Sequence, residues 1–284
     1  MKKTKYFLVF ALLCLVVPQF TVYAQQPHQE GKLIIIGGGH RPEALVQRII
    51  KEAQLHKGGY GIILPMSSAE PDSAVFYAKK QFVAAGLSNV VGLQVYKDEN
   101  LRETKLDSIK NAKMIYISGG DQNRFMRVIS GTSAEAAIHE AFKNGSIVAG
   151  TSAGAAVMSK LMITGNELKH PDYSSTFKNI EAKNIDIQSG LGMVKGVIID
   201  QHFVKRSRYN RLISAIIEHP ELIGIGIDES TALLVEGNSV EVLGESQVIV
   251  FKNPTKSKFE QNGKLGAKNL ELDIYLPGQK FKLN

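Results

Sequence analysis

Short, nearly continuous apolar runs alternate with longer amphipathic stretches between Lys32 and Ala149, and this rhythm constrains the fold more than any other feature. The runs Leu33–Ile36, Gly61–Leu64, Val90–Gln94, Met114–Ile117 and Ile147–Ala149 lack the polar alternation of a half-exposed strand. They read as strands buried on both faces. Between them, Pro42–Leu55, Asp72–Ala85, Leu101–Lys110 and Ala134–Asn144 carry apolar residues at three- and four-residue steps, as at Leu45, Ile49 and Ala53. These read as helices. Strands and helices in such alternation predict a doubly wound, mostly parallel α/β sheet covered on both sides.

Beyond Ser152 the alternation loosens. A polar stretch from Gly165 to Ser189 precedes a strand at Val194–Ile199, a helix at Tyr209–Glu218 and a strand at Ile223–Ile227. Thr231–Glu236 and Ser239–Leu243 predict a hairpin closed at Gly237-Asn238. Glu271–Leu276 and Lys280–Leu283 read as a small C-terminal β extension. Repeats and low-complexity tracts are not evident.

The first residues stand apart from this pattern. Lys2, Lys3 and Lys5 precede an apolar run from Tyr6 to Val17, followed by the small-residue site Val22-Tyr23-Ala24. That order predicts a secretory signal peptide over residues 1–24, a linker at 25–31 and one α/β domain from 32 to 284. The apolar run is short for a retained membrane anchor. The expectation is therefore an exported protein, periplasmic or extracellular, with no membrane insertion after cleavage. The only cysteine, Cys14, would leave with the peptide, so neither a thiol nucleophile nor a thiolate metal site is expected. Loss of Lys2, Lys3 and Lys5 takes the formal charge from +7 to +4. No dense basic block interleaved with aromatics points to nucleic acid.

The chemistry concentrates at Gly150-Thr151-Ser152-Ala153-Gly154, which follows the run Ser146–Ala149 and enters the helical segment Ala155–Lys160. This is G-x-S-x-G between strand and helix, the setting that pushes a serine hydroxyl out over the sheet edge. Glycines beside it make room for a sharp turn. The Ala153 amide, at the helix start, can face a developing oxyanion. A serine nucleophile needs a base. His202, in Asp200-Gln201-His202-Phe203 just past an apolar strand, would lie at the edge where α/β active sites assemble. His170 is the rival. For the acid that orients the imidazole, Glu167 lies between Ser152 and His202, with Asp172, Glu181 and Asp200 as alternatives. A second glycine turn, Ser118–Gln122, can cap a helix through Asp121 and supply the Gly120 amide as another oxyanion donor. Arg206, Arg208 and Arg211 suit the grip of carboxylates. In one regular helix Arg206 and Arg208 would point about 200° apart, so a shared site needs a loop-to-helix approach. No clustered metal-ligand motif is evident, and neither metal nor cofactor is expected.

Taken together, Gly37-Gly38-Gly39, Ser118–Gln122, Gly150–Ala155, Asp200–Phe203 and the segment Gly224–Glu229 with Thr231-Ala232-Leu233 resemble the cyanophycinase and dipeptidase E family of serine peptidases. The resemblance implies a fold of the class I glutamine amidotransferase type and a homodimer. It implies Ser152 as nucleophile and His202 as base, and it favours Glu167 as the acid. In the cyanophycinase branch, residues matching Gln122, Gln201, Arg206, Arg208 and Arg211 line the substrate groove. The implied substrate is cyanophycin, a polyaspartate carrying arginine on its side-chain carboxyls, cleaved to β-Asp-Arg dipeptides. His40 departs from the resemblance, since relatives often carry an acidic residue there. Alternatives are a peptidase of the same family acting on other aspartyl or isoaspartyl peptides, and a catalytically silent protein that binds such peptides.

Overall fold

The computed structural model describes residues 30–283; the expected signal peptide and most of the linker lie outside them. The first half of the described chain follows the sequence rhythm. In order come β1 (Leu33–Ile36), α1 (Glu43–Glu52), β2 (Gly61–Leu64), α2 (Pro71–Ala84) and β3 (Val90–Gly92). After these come α3 (Glu103–Lys110), β4 (Met114–Ile117), α4 (Gln122–Ile129), α5 (Ser133–Lys143) and β5 (Ile147–Thr151). Strands β1, β2, β4 and β5 are buried along their whole length, which is why they read as unbroken apolar runs. The five strands lie parallel in the order β1-β5-β4-β2-β3.

The second half contributes a short helix and further strands. These are α6 (Ala153–Ala156), β6 (Leu161–Glu167), β7 (Ile185–Ser189), β8 (Val197–Gln201), α7 (Tyr209–Glu218) and β9 (Ile223–Ile227). They continue with β10 (Thr231–Glu236), β11 (Ser239–Gly244), β12 (Val248–Lys252), β13 (Phe259–Gln261), β14 (Lys264–Gly266), β15 (Glu271–Tyr275) and β16 (Lys280–Lys282). The β10–β11 hairpin turns at Gly237 and Asn238 as the sequence predicts, and adds antiparallel to β1; β16 then adds to β11.

A second, four-stranded sheet runs β15-β12-β9-β8, with β8 and β9 parallel and β12 and β15 antiparallel additions. Sequence reading does not anticipate this sheet. It overlooks β12, and it takes Gly165–Ser189 as polar loop where β6 and β7 pair across a bulge. The expected C-terminal extension divides, β15 edging the small sheet and β16 the large one.

Alternate residues of β1 sort the core into layers. Ile34 and Ile36 pack with Leu45, Ile49 and Phe82 of α1 and α2. Leu33 and Ile35 face the opposite way, into a cluster with Val197, Ile225 and Val248 of the second sheet. Ile198, Ile249 and Phe251 on the far side of that sheet meet Leu212, Ala215 and Ile216 of α7. The two sheets thus share one apolar layer. This places the carboxyl ends of β8 and β9 beside those of β1, β4 and β5. Among the described residues no helix is long and apolar enough to cross a membrane.

Candidate active site

Five strand ends converge on one serine. Ser152 follows β5 directly and has φ 55° and ψ −110°, a left-handed conformation that costs a non-glycine residue about 1–3 kcal/mol. The turn is held because the Ser152 amide donates to Ile36 O at 3.0 Å, while the carbonyl accepts from Ala155 and Ala156. Gly150 and Gly154 lie so close that a Cβ on Gly150 would run into the Gly154 carbonyl. Strain and close packing together project Oγ from the edge of the sheet.

The imidazole comes from the second sheet. His202 follows β8, also at positive φ (51°), with its amide bonded to Gly37 O at 2.7 Å. The next side chain, Phe203, anchors this turn by packing on Gly226 of β9 and edge-on against Tyr209 and Phe251. His202 Nε2 lies 2.8 Å from Ser152 Oγ, and its Nδ1 lies 2.6 Å from Glu229 Oε1. With Nδ1–H donating to the carboxylate, Nε2 is free to accept the serine proton. Burial foremost pushes the His202 pKa below its ordinary 6.5; the Glu229 bond opposes this, and the charges of Arg206 and Arg208 reinforce it. The ring is therefore neutral at neutral pH, the state a general base needs.

The expectation that Glu167 orients the imidazole is corrected: the carboxylate at Nδ1 is that of Glu229. Glu167 ends β6, paired with Ile185 of β7, and its carboxylate accepts from Asn184 Nδ2 at 2.7 Å. Asp172 is exposed, and the remaining candidates are engaged elsewhere. Asp200 is buried in an ion pair with Arg211, and the rival base His170 is bound to Glu181 at 2.6 Å on the surface. Lys264 first, and then His170, hold the Glu181 carboxyl down at about 2. Sequence order misleads here because Glu229 comes after the histidine. The register Gln201↔Ile227 between parallel β8 and β9 brings the residues following both strands to one edge. The triple glycine after β1 completes this arrangement: a Cβ on Gly38 would lie 2.5 Å from His202 Nε2, and one on Gly39 2.7 Å from Glu229 Cβ.

Two backbone amides adjoin Ser152. Ala153 opens α6, so its N–H has no helical acceptor. On the other side, the Gly119-Gly120 turn after β4 passes so near that a Cβ on Gly119 would stand 3.4 Å from Ser152 Cβ. Gly120 has φ 138°, a conformation open to glycine. Among the described residues the Gly120 and Ala153 amides donate to no backbone carbonyl outside the regular elements. Asp121 caps α4 by accepting from the Asn123 amide at 2.7 Å, so this turn both starts a helix and borders the serine.

A cleft of about 440 Å³ opens beside Ser152 and Gly120. Gln122, Gln201, Arg206, Arg208 and Arg211 all line it, as do Arg127 and the exposed Tyr173. The turn between β8 and α7 is the loop-to-helix approach that three arginines on one site require. Gln122 donates to Ile163 O and Thr164 O, tying α4 to β6. Arg211, 2% exposed, grips Asp200 with two nitrogens. Arg208 reaches Gln201 O at 2.8 Å and also Gln201 Oε1, yet lies 3.7 Å from Asp200, and its Nε has no partner. Burial, and then the charge of Arg211, push the Arg208 guanidinium down to about 10. One buried carboxylate thus serves two buried guanidinium groups, with Arg206 alongside. The cleft carries a surplus of positive charge that a substrate carboxylate would neutralise. Among the described residues no group of three or more His, Cys, Asp or Glu side chains could hold a metal ion.

Comparison with known proteins agrees with a peptidase built on this site. Residues 33–243 match the model of Peptidase family S51. The chain is 34% identical over 233 residues to a cyanophycinase of Nostoc sp., covering 79% of this chain and 75% of that protein. It is 31% identical over 264 residues to a cyanophycinase of Synechococcus elongatus, covering 88% and 79%. Among solved structures, a peptidase from an acI-B1 Actinobacterium superposes with a TM-score of 0.67 at 23% identity, over 91% of this chain and 99% of that one. A putative peptidase E from Listeria monocytogenes EGD-e shares the fold with a TM-score of 0.52 at 15% identity, over 76% and 100%. The large, mostly parallel sheet with its added antiparallel strands is the architecture these neighbours share, consistent with a class I glutamine amidotransferase-like fold. On the strength of the family match and of cyanophycinase relatives aligned along most of its length, the chain belongs to Peptidase family S51 and is a serine-type peptidase.

Proposed function

We propose that this peptidase hydrolyses cyanophycin to β-Asp-Arg dipeptides through an acyl-enzyme on Ser152. The observation that carries the reading is the positive surplus of Arg206, Arg208 and Arg211 over Asp200, in the same cleft as the serine. Each substrate unit presents a free arginine carboxylate that Arg206 and Arg208 can grip, fixing the backbone carbonyl against Oγ. His202 takes the serine proton as Oγ bonds the carbonyl carbon, and Glu229 steadies the resulting imidazolium. The amides of Ala153 and Gly120 hold the oxyanion. His202 then delivers the proton to the leaving nitrogen as the C–N bond breaks, and water, activated by the same imidazole, releases the acyl group.

The two relatives bear the name cyanophycinase, which supports this substrate over shorter aspartyl or isoaspartyl peptides. Purified protein incubated with cyanophycin and with α-aspartyl and isoaspartyl dipeptides, followed by mass analysis of products, separates the two readings. Release of β-Asp-Arg that Ser152→Ala abolishes is the expected result; turnover of the dipeptides alone would favour the second. Export is part of the proposal, resting on the charged, apolar and small-residue order of residues 1–24. A mature protein whose mass begins at Gln25 is expected. A homodimer is likewise proposed, to be measured by light scattering.

A further inference from the structure

A second cleft, of about 250 Å³, borders Ser152 on the opposite face of the sheet from the arginine cleft. It is walled by α2 through Ala74, Tyr77 and Ala78, and its floor is Tyr116 of β4 and Thr151 of β5. These two side chains share a face of the sheet, since Tyr116 pairs with Ala149 and Thr151 lies two residues on. Tyr116 is 1% exposed and Thr151 7%, and neither hydroxyl has a hydrogen-bond partner. Orphaned buried hydroxyls cost free energy, and two at one cleft mark a site where something else completes the polar pairing. The cation here is Arg41. Its Nε donates to Gln81 Oε1 at 2.8 Å and its Nη1 to Gly39 O at 2.6 Å, which holds the guanidinium at the cleft. Among the described residues no partner meets Nη2.

Proton traffic says which half of a substrate this cleft receives. The nitrogen that leaves must take its proton from His202, so the leaving half lies on the imidazole side of the serine. His202 lines the smaller cleft and does not line the arginine cleft. We infer that the smaller cleft is the leaving-side subsite, taking an amine that carries a carboxylate, with Arg41 gripping that carboxylate and Tyr116 and Thr151 forming a polar floor. The inference rests on the reading of Ser152 as nucleophile and His202 as its proton donor. It makes Arg41 a specificity residue for what departs, as Arg206 and Arg208 are for what is acylated.

The test compares a two-unit cyanophycin fragment whose leaving unit has free carboxylates with the same fragment amidated there. The wild-type enzyme should prefer the free form by about 10- to 100-fold in kcat/KM, the range of a hydrogen bond to a charged group. Arg41→Gln should reduce that preference to within about 3-fold. A second measurement needs no turnover: free aspartate should slow fluorophosphonate labelling of Ser152 in the wild-type enzyme and lose this effect in Arg41→Gln. Protection is read against each protein's own labelling rate without aspartate, so a change in that rate on substitution does not mask the comparison. A preference that survives the substitution, or aspartate protection that is absent or unchanged by it, would overturn the subsite. If wild-type enzyme released no β-Asp-Arg from cyanophycin, the substrate reading would fail, while the labelling competition would still decide the subsite.

Discussion

Replacing Glu229 by glutamine isolates the charge behind His202. The amide oxygen can still accept from Nδ1–H, so the ring keeps its place, but the transition-state imidazolium loses its counter-charge. With Oε1 2.6 Å from Nδ1, the two charge centres lie about 4 Å apart. At an effective dielectric of about 20, suited to a carboxylate less than a third exposed, the attraction is about 4 kcal/mol. That corresponds to a fall of about 10³-fold in kcat/KM. Steady-state kinetics on the cleaved substrate measures it, with circular dichroism confirming the fold. Glu167→Gln, which touches only the Asn184 bond, should stay within about 3-fold of wild type. Near-wild-type activity of Glu229→Gln, or an equal loss in Glu167→Gln, would refute the assignment of the orienting acid.

The acid limb of kcat/KM should have its midpoint below the ordinary histidine value of 6.5, because burial lowers the His202 pKa, and activity should rise with pH through that limb. Arg206→Ala removes a charge that lowers this pKa, so its midpoint should move upward; an unmoved midpoint would count against the coupling. The same shift sets a stability trend: the unfolded chain binds the His202 proton first, so this contribution is full above 6.5 and is lost as pH falls toward the folded pKa, as thermal melts would register. Asp200→Asn leaves Arg208 and Arg211 buried without their carboxylate and should cost about 3–5 kcal/mol by urea unfolding; a loss under 1 kcal/mol would show the pair to be dispensable. Gly38→Ala places a methyl 2.5 Å from His202 Nε2, which drives the ring back by about 1 Å and should cut kcat/KM at least about 10²-fold; unchanged labelling of Ser152 would contradict that geometry.

Local signals carried much of the architecture. The strands of the parallel core are legible because burial on both faces leaves no polar residue in them, and Leu33–Ile36, Gly61–Leu64 and Met114–Ile117 match the observed bounds. The sharp turn at Ser152 is legible for a similar reason, since Gly150 answers to the Gly154 carbonyl four residues on, although Gly154 itself makes room for Ile117 of β4. The partner sheet was not legible. Val248–Phe251 is as apolar as any core strand, but nothing within it names β9 and β15 as neighbours. Likewise β6 and β7 are half-polar strands that read as loop, because one pairs with the other across a long intervening stretch.

The Ser152–His202 pair and the arginines of the cleft could be read in the amino-acid order because each lies in a motif beside its own strand. The acid could not: chain order favours Glu167, with Asp172, Glu181 and Asp200 as alternatives, and passes over Glu229, since any loop carboxylate resembles any other until strands are aligned. Pairing of β8 with β9 and the shared apolar layer between the two sheets bring Glu229, His202 and Ser152 into line. The division of the surroundings into two clefts, one for each half of a severed bond, is likewise a property of tertiary packing. Hydrogen-bond distances and charge balance depend on where backbones meet, and a chain encodes those meetings through its whole core rather than at the residues that use them.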